Sequence, residues 1–576
     1  MNSLGSAKEP SIFPVKALIM SENLITPGPH GQRPARHANT DIAQALQNGF
    51  FKLYRYDPVP YAFPIDWDAN PFDNTWKWAL NSFQFLYDAV HVGELRKDSS
   101  LQTLSVKLLQ DWWRVETESG HSSYNWKGHT TALRAQVISY LHPLCSEDWY
   151  VAMMVRHGEE LARADVYEAV HNHGLDQDLG LLAIGGALGA DEWIELAKVR
   201  SGQSAAAMVD RQGVSSEQAV GYTYYVYALL GKIADALVLC GHSVPTSILN
   251  RKAVPTFLAH ATQPNGEYVV LGDTPICKAY DLVDTDAEYP ATQGQRGSVP
   301  QDDVRMFDNG WIFGRSGWGT QRDFENESFY SLRFGPGASV HGHADGTSLT
   351  FFSQRQPLVT EAGFGGYGDL EFYHYERSAL AHNTVVVEGY GPYLTNRPTL
   401  LTSNTTAPKW ARHQLVGWPY VGIKRERTVV FLKELKALVV RDRIWAANVT
   451  QFCQRWHLSP DMEIVEETPQ MLAARLNNVT LSITQLLPVD SIQTQRGQKN
   501  PLSGWVATAQ GTRKPTSVAN FVSHGQGTDF VTLITANTSV DVRPTDHGAG
   551  WRLTVSETSK YLISLDEISG LQVVSA

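Results

Sequence analysis

Cysteine is scarce in this chain of 576 residues, and its few cysteines follow no recognisable pattern. The four, Cys145, Cys240, Cys277 and Cys453, are scattered without a CxxC spacing. We therefore predict free thiols, several of them buried, and no disulfide framework. Long apolar runs are also missing, because no stretch approaches the ~18 uninterrupted apolar residues of a membrane span.

The N-terminal sequence, MNSLGSAKEPSIFPVKALIM, lacks the apolar region of a signal peptide. We therefore expect a cytoplasmic protein, or a secreted or periplasmic one if a leader has been removed. Positive charge is in deficit, with 48 Lys and Arg against 59 Asp and Glu, a net charge of −11. This balance argues against a nucleic-acid-binding protein, and an enzyme acting on anionic polysaccharides would need a locally basic site.

The chain is long and rich in aromatic residues. A chain of 576 residues exceeds what one hydrophobic core supports, so we expect two or three domains. Sixteen Trp and 23 Tyr would suit stacking on sugar rings, although most aromatic residues pack in cores.

Hydrophobic periodicity divides the chain into three parts. Residues 1–40 are irregular, residues 41–300 show helical periodicity, and residues 301–576 show the alternation of an antiparallel β-sandwich. Segment 281–303, rich in Asp, Pro, Gly and Gln, is the predicted linker. Helices are predicted over residues 75–87, 101–113, 130–141, 149–164, 178–188, 191–201, 218–239 and 244–261.

A histidine-rich stretch runs from His341 to Thr384. His341 and His343 are two residues apart and would share one face of a strand. Glu361 follows a second predicted strand and His382 opens a third. Three adjacent strands would bring His343, Glu361 and His382 together as a zinc-binding set, whereas the plainer interpretation is of ordinary polar residues in a sheet.

The sequences HGHADGTSLTFF, LVTEAGFGGYG and AHNTVVVEG resemble the C-terminal core of the heparinase II/III-like polysaccharide lyases, which include alginate and glycosaminoglycan lyases. The resemblance implies an N-terminal incomplete (α/α) toroid followed by the β-sandwich, and a structural zinc ion. Glu361-Ala362 stands where the family has Asp-Pro, so the carboxylate that would bind the metal is longer by one methylene.

Two further stretches match the family. Asn172 and His173 align with its Asn-His pair, and Tyr222 aligns with its catalytic Tyr. The residues alone leave alternatives open: Asn172 would also suit a helix cap, and the tyrosines would also suit a core. Tyr225, one turn after Tyr222, is the alternative catalytic Tyr.

The resemblance implies β-elimination across a uronic acid. Asn172 and His173 would neutralise the substrate carboxylate, while Tyr222 and His341 would move the C5 and O4 protons. Tyr222 would need a lowered pKa to act as a base, and His173 or an Arg could provide it. We also predict that the substrate contacts Arg134, Glu217, Tyr225 and Tyr367, although Arg134 would also suit a structural salt bridge.

Two other functions remain open on sequence alone. A glycoside hydrolase would need two facing carboxylates, for which Glu217, Asp176 and Asp178 are candidates. A zinc-stabilised carbohydrate-binding protein would need neither acid nor base. We expect an anionic polysaccharide or oligosaccharide as partner and neither nucleic acid nor membrane, and a homodimer is compatible with the sequence. Which uronic acid, linkage and sulfation are recognised, and whether cleavage is endo or exo, stay open.

Overall fold

The computed structural model describes residues 39–119, 124, 126–335, 339–391, 398–545, 550–554, 560–566 and 570–575. The predicted irregular segment 1–40 therefore lies almost entirely outside the described residues. The chain forms two compact units. The helical unit comprises residues up to Arg211 together with Tyr224–Lys252, and the sheet unit comprises Gln212–Thr223 and the chain from Ala253 onward. Helices give way to strands near the predicted boundary of 300–301, whereas the compact units divide the chain at these other positions.

Helices make up the N-terminal half of the described chain. The helix Asn172–Leu188 is buried on almost all sides, and its Gly180 lets it approach the helix Gly128–Leu141, since a Cβ there would lie 2.7 Å from the carbonyl oxygen of Ala132. The helices are Thr40–Gln47 (α1), Asn74–Ser82 (α2), Phe85–Arg96 (α3), Ser99–Ser119 (α4), Gly128–Leu141 (α5), Asp148–Ala162 (α6), Asn172–Leu188 (α7), Asp191–Met208 (α8), Val220–Leu239 (α9), Thr246–Leu249 (α10), Val254–Ala261 (α11), Glu288–Ala291 (α12) and Leu370–Glu376 (α13).

Most predicted helices differ from the structure at one or both ends, and three of these differences have a clear cause. The predicted helix 75–87 is two helices, because Phe83 adopts a left-handed conformation with φ 59°. The predicted helix 244–261 is interrupted by a 3₁₀ turn at Asn250–Ala253. Helix α7 begins six residues before the predicted start at 178, because its polar first turns hide the apolar periodicity.

Among the described residues of the sheet unit, the three largest antiparallel sheets are stacked in layers. One hydrophobic core lies between the five-stranded sheet and the ten-stranded sheet, and a second lies between the ten-stranded and the four-stranded sheet. Val429 belongs to the first core and Val430 to the second. Neighbouring residues of one strand thus face opposite cores, as the two-residue period of a strand requires. The central sheet is therefore buried on both faces.

The strands of the five-stranded sheet are Val304–Phe307 (β3), Trp311–Arg315 (β4), Phe329–Arg333 (β5), Leu349–Ser353 (β6) and Gln356–Val359 (β7). Those of the ten-stranded sheet are Val385–Val387 (β8), Thr399–Asn404 (β9), Trp410–Tyr420 (β10), Ile423–Leu432 (β11), Ala437–His457 (β12), Glu463–Thr468 (β13), Met471–Leu476 (β14), Val479–Gln485 (β15), Ser491–Arg496 (β16) and Ser517–Ala536 (β21). The remaining strands are Phe50–Phe51 (β1), Val59–Pro60 (β2), Gln498–Lys499 (β17), Leu502–Ser503 (β18), Trp505–Ala509 (β19), Thr512–Pro515 (β20), Asp541–Pro544 (β22), Gly550–Thr554 (β23), Lys560–Asp566 (β24) and Gly570–Ser575 (β25).

The prediction of a strand at His341 and His343 is wrong. Both residues lie in the loop between β5 and β6. Their backbone pairs with other loops instead of a strand: the His341 N–H donates to the Glu217 carbonyl (3.1 Å), and the His341 carbonyl accepts from the Asp273 N–H (2.9 Å). Tertiary hydrogen bonds therefore override the local alternation.

Within the part of the chain that the structure describes, no helix combines the length and apolar character that crossing a membrane would require.

Candidate active site

Tyr222 and His341 form a stacked pair inside the sheet unit. Their ring centroids lie 3.4 Å apart with the planes inclined by 9°. Tyr222 is on the first turn of α9, whereas His341 comes from the loop before β6. The pairing of these two predicted catalytic residues therefore depends on a contact between segments more than a hundred residues apart.

Asp273 holds His341 and His343 at once. Its Oδ2 lies 2.9 Å from the His341 Nδ1, and its Oδ1 lies 2.9 Å from the His343 Nε2. Because a carboxylate only accepts hydrogen bonds, both ring nitrogens are donors. The neutral His341 ring then carries its lone pair on Nε2, which suits a general base.

Arg377 completes this arrangement. Its guanidinium contacts both oxygens of Asp273, at 3.1 and 3.0 Å, and donates to the Val340 carbonyl (3.0 Å). Burial alone would raise the pKa of the Asp273 carboxyl. Hydrogen bonds from His341 and His343 and the charge of Arg377 outweigh that effect and hold the pKa well below its usual range.

The hydroxyl of Tyr367 lies among the same groups. It is 2.9 Å from the Tyr222 hydroxyl, 3.1 Å from the Asp273 Oδ2 and 3.1 Å from the His341 Nδ1. The residue as a whole is 37% exposed. The predicted substrate contact of Tyr367 stays a prediction, and the structure adds these direct contacts with the catalytic candidates.

Burial raises the pKa of the Tyr222 hydroxyl well above its usual value, and the nearby charges of Asp273 and Glu217 add to the effect. A base would need a lowered pKa, and the surroundings of Tyr222 act in the opposite direction. A phenol that keeps its proton is suited to act as an acid, which is the first role predicted for Tyr222.

Glu217 lies beside His341. Its side chain is fully buried, and its Oε2 lies 4.0 Å from the His341 Nε2. Its backbone carbonyl accepts from the His341 N–H. Glu217 therefore helps to position His341, and its predicted substrate contact stays a prediction.

The sequence interpretation missed Asp273 and Arg377. The one local signal for Asp273 is Gly272, which has φ +61° and would bring a Cβ within 2.5 Å of the Gln218 carbonyl oxygen and 2.7 Å of the His341 carbonyl oxygen. A side chain is thus excluded where three segments meet. This signal has no meaning until the fold brings residues 218, 272 and 341 together.

The predicted metal ligands lie next to this group. Glu361 Oε2 contacts His382 Nδ1, and the His343 and His382 ring centroids are 5.4 Å apart. The Nε2 of His382 is buried without a hydrogen-bond partner among the described residues. His343 donates from Nε2 to a carboxylate, as metal-binding histidines commonly do, so its Nδ1 remains as a ligand atom.

These donors fit a zinc ion, although their ligand atoms are not yet gathered. Among the described residues, the groups whose ligand atoms all lie within 4.8 Å of one another do not include His343, Glu361 and His382. The ligand atoms of Glu168, His171 and His173 in the helical unit do lie this close together. Binding a zinc ion at the predicted set would therefore need its side chains to move closer together.

In the helical unit, Asn172 is the first residue of α7 and is only 2% exposed. The helix cap is its neighbour His171, whose Nδ1 accepts from the His173 N–H (3.1 Å). The alternative of Asn172 as the cap is therefore wrong. Gly174 completes the motif because a Cβ there would lie 2.1 Å from the Glu168 carbonyl oxygen.

His173 is partly exposed and stacks on His129, with ring centroids 4.0 Å apart and planes inclined by 11°. Its Nδ1 lies 3.0 Å from a carboxylate oxygen of Glu168. His129 in turn lies 3.2 Å from Asp176 Oδ2. His173 is thus held on two sides within its own unit.

Tyr225 and Arg134 both have partners within the helical unit, and their predicted substrate contacts stay predictions. The Tyr225 hydroxyl donates to Asp176 Oδ2 (2.7 Å), whereas Tyr222 is the tyrosine that stacks on His341. Arg134 is fully buried, donates to His157 and to the Asn81 carbonyl, and lies 4.3 Å from the Trp112 ring centroid. Both residues stabilise the helical unit.

Comparison with known proteins agrees with this architecture. Residues 309–547 match the family model described as heparinase II/III-like, C-terminal. No curated protein sequence matches the chain.

Solved structures share the fold at low sequence identity. A mutant of the heparan sulfate lyase HepC from Pedobacter heparinus has 15% identity and a TM-score of 0.71, over 96% of this chain and 93% of that one. A structure of heparinase III has 14% identity and a TM-score of 0.74, over 96% and 95%. A chondroitinase AC lyase has 10% identity and a TM-score of 0.55, over 98% and 93%.

The likenesses confirm the predicted fold class, a helical region of the (α/α) type followed by antiparallel sheets. The family model covers the loop with His341 and His343 together with Glu361, Tyr367 and His382. Residues 309–547 therefore match a heparinase II/III-like C-terminal domain, and the chain shares the fold of these solved lyase structures.

Proposed function

We propose that this protein cleaves a uronic-acid-containing polysaccharide or oligosaccharide by β-elimination, leaving a 4,5-unsaturated uronate end. The observation that carries the proposal is the stacked pair of Tyr222 and His341, with the His341 Nδ1 held by Asp273. An acid and an oriented base are the two groups that this reaction needs. A glycoside hydrolase would ordinarily use two facing carboxylates for its acid and its base, and a binding protein would need neither group.

The proton transfers follow from the geometry. His341 takes the C5 proton at Nε2, and the electron pair of the C5–H bond forms the C4–C5 double bond. The C4–O4 bond breaks, and O4 receives the proton of the Tyr222 hydroxyl. Asp273 holds the His341 Nδ1–H throughout and stabilises the imidazolium that forms.

Negative charge builds on the substrate carboxylate as the C5 proton leaves, and it must be met by hydrogen-bond donors. The family resemblance gives this role to Asn172 and His173. The position of Asn172 on the first turn of α7 supports it, because the N-terminus of a helix favours an anion.

The proposal is tested with a panel of alginate, hyaluronan, chondroitin, heparan sulfate and glucuronan, followed by ultraviolet absorbance of the conjugated double bond. We expect absorbance to rise with at least one of them. New reducing ends without absorbance would show a glycoside hydrolase, and binding without either product would show a binding protein. The heparan sulfate and chondroitin lyases among the solved structures make those two substrates the first to test.

Replacing Asn172 or His173 with Ala should lower turnover by about 10²–10³, the effect of losing one donor to a developing oxyanion. His173→Ala is the cleaner variant, since Asn172 is buried and its loss will also cost stability. The measurement is kcat per folded molecule, with the thermal midpoint as control. Normal turnover per folded Asn172→Ala molecule, together with a lower midpoint, would assign Asn172 a structural role.

We also propose that His343, Glu361 and His382 hold one zinc ion that stabilises the fold. Zinc bound there would neutralise the buried Glu361 carboxylate and pin the loop before β6 to the end of β7. Protein purified without a chelator should contain about one equivalent of zinc.

His343→Ala should lose the metal and unfold at a lower temperature, because the binding free energy of a structural metal is part of the folding free energy. His524→Ala is the matched control, since His524 is half exposed at the surface of the same unit and contacts Asp490 and Gln451. Metal-free wild-type protein would contradict the zinc proposal.

A further inference from the structure

The hydroxyl of Tyr367 meets three groups but can donate only one proton at a time. Asp273 is an ionised carboxylate and can only accept hydrogen bonds. In the resting site the Tyr367 hydroxyl therefore donates to the Asp273 Oδ2 at 3.1 Å. The oxygen of Tyr367 then accepts from the Tyr222 hydroxyl at 2.9 Å. The resting hydrogen bonds therefore run from Tyr222 to Tyr367 to Asp273.

This order has to change during the reaction of the proposed function. Once Tyr222 has given its proton to O4, its oxygen is a phenolate and can only accept. The same 2.9 Å contact then allows Tyr367 to donate to Tyr222. Asp273 can lose the hydrogen bond from Tyr367 because it keeps those from His341, His343 and Arg377.

We propose that Tyr367 is a positioning residue that switches its hydroxyl from Asp273 to the Tyr222 oxygen as Tyr222 delivers its proton, and so stabilises the phenolate. Tyr367 exchanges no proton with the substrate. The O–H bond of Tyr222 breaks, its proton goes to O4, and the Tyr367 O–H bond stays intact while it turns. Water later returns a proton to Tyr222 as His341 loses one.

The surroundings of Tyr222 explain why such a donor is needed. Tyr222 is 4% exposed, so water is largely kept from its oxygen. Its stacking partner His341 presents a ring face, and the carboxylates of Asp273 and Glu217 both disfavour a second negative charge. The hydrogen bond from Tyr367 acts in the opposite sense and favours the phenolate. A buried phenolate without a donor would be costly.

The experiment compares wild type, Tyr367→Phe, Tyr222→Phe and the double variant on two substrates. One is the uronan that proves active in the panel, whose leaving group is a sugar hydroxyl. The other is a uronate that carries a nitrophenol at O4, a leaving group that departs without a proton. Tyr367→Phe keeps the ring and its contacts with Phe364 and Tyr373, so folding should be preserved.

On the uronan, Tyr367→Phe should lower kcat by about 10–100-fold, the effect of losing a hydrogen bond to a charged group, with KM nearly unchanged. On the nitrophenol substrate it should lower kcat by less than about threefold, because the leaving group departs without a proton and Tyr222 does not become a phenolate. The double variant should be no slower than Tyr222→Phe alone, since Tyr367 acts through Tyr222.

Two results would overturn the inference and give Tyr367 a merely structural or substrate-binding role. One is an equal loss of kcat on both substrates, and the other is a double variant whose loss of kcat equals the product of the two single losses. Failure of the proposed function looks different, because the wild-type protein itself would then form no unsaturated product from either substrate.

Discussion

Tyr222→Phe is expected to lower turnover by about 10²–10⁴, the range for removing a general acid or base. The change removes only the hydroxyl, so the stacking on His341 and the core contacts of the ring remain. KM should change little, because the lost group acts on the leaving oxygen. The measurement is kcat and KM by ultraviolet absorbance, with the thermal midpoint recorded alongside.

Tyr225→Phe is the matched control for that variant. It lies one turn later on α9, and its hydroxyl donates to Asp176 within the helical unit. It should lose stability of about 1 kcal/mol, the net value of one hydrogen bond, and keep near-normal turnover per folded molecule. If Tyr225→Phe is inactive and Tyr222→Phe is active, the alignment with the family is one turn off. If both are active, the acid is another residue.

Asp273→Asn is the second variant for which we expect a large effect, a fall in turnover of about 10²–10⁴, as seen when the carboxylate orienting a catalytic histidine becomes an amide. The amide can donate to the His341 Nδ1, which would place the ring proton on Nε2 and remove the lone pair from the position of the base. Turnover per folded molecule tests this expectation. The tautomer of His341, read from ¹⁵N chemical shifts, tests its cause.

Asp273→Asn will also cost stability, because Arg377 loses its charged partner. Asp442→Asn is the control for that loss, since Asp442 is likewise fully buried and pairs with a buried arginine, Arg427. We expect the control to lose stability but to keep normal turnover per folded molecule. Equal turnover losses in the two variants would contradict a special role for Asp273.

Local patterns predicted much of the architecture. Apolar periodicity located most helices and the change to strands near residue 300, because those patterns reflect the face that each element buries. It failed at α7, whose start carries Asn172, Asp176, Gln177 and Asp178. These polar residues are buried, and His129, Tyr225, Tyr167 and backbone groups bind to Asp176, Gln177 and the Oδ2 of Asp178. A pattern in the sequence does not reveal that such partners exist.

The heparinase II/III-like C-terminal domain and the fold followed from three short motifs around His341, Glu361 and His382, and the family model and the solved structures confirmed them. These motifs identify residue types. They do not show which neighbours a side chain contacts, so the buried partners of Arg134, Glu217 and Tyr225 are seen only in the folded chain.

By itself, the sequence determined the class of fold, and it predicted candidates for an acid, a base and a metal-binding set. The tertiary structure alone decided that Asp273, from a segment without a motif, holds His341 and that Tyr367 meets Tyr222. The physical reason is that a hydrogen bond acts over about 3 Å, whereas these partners lie 68 and 145 residues apart in the chain, so only the folded chain brings them within that distance.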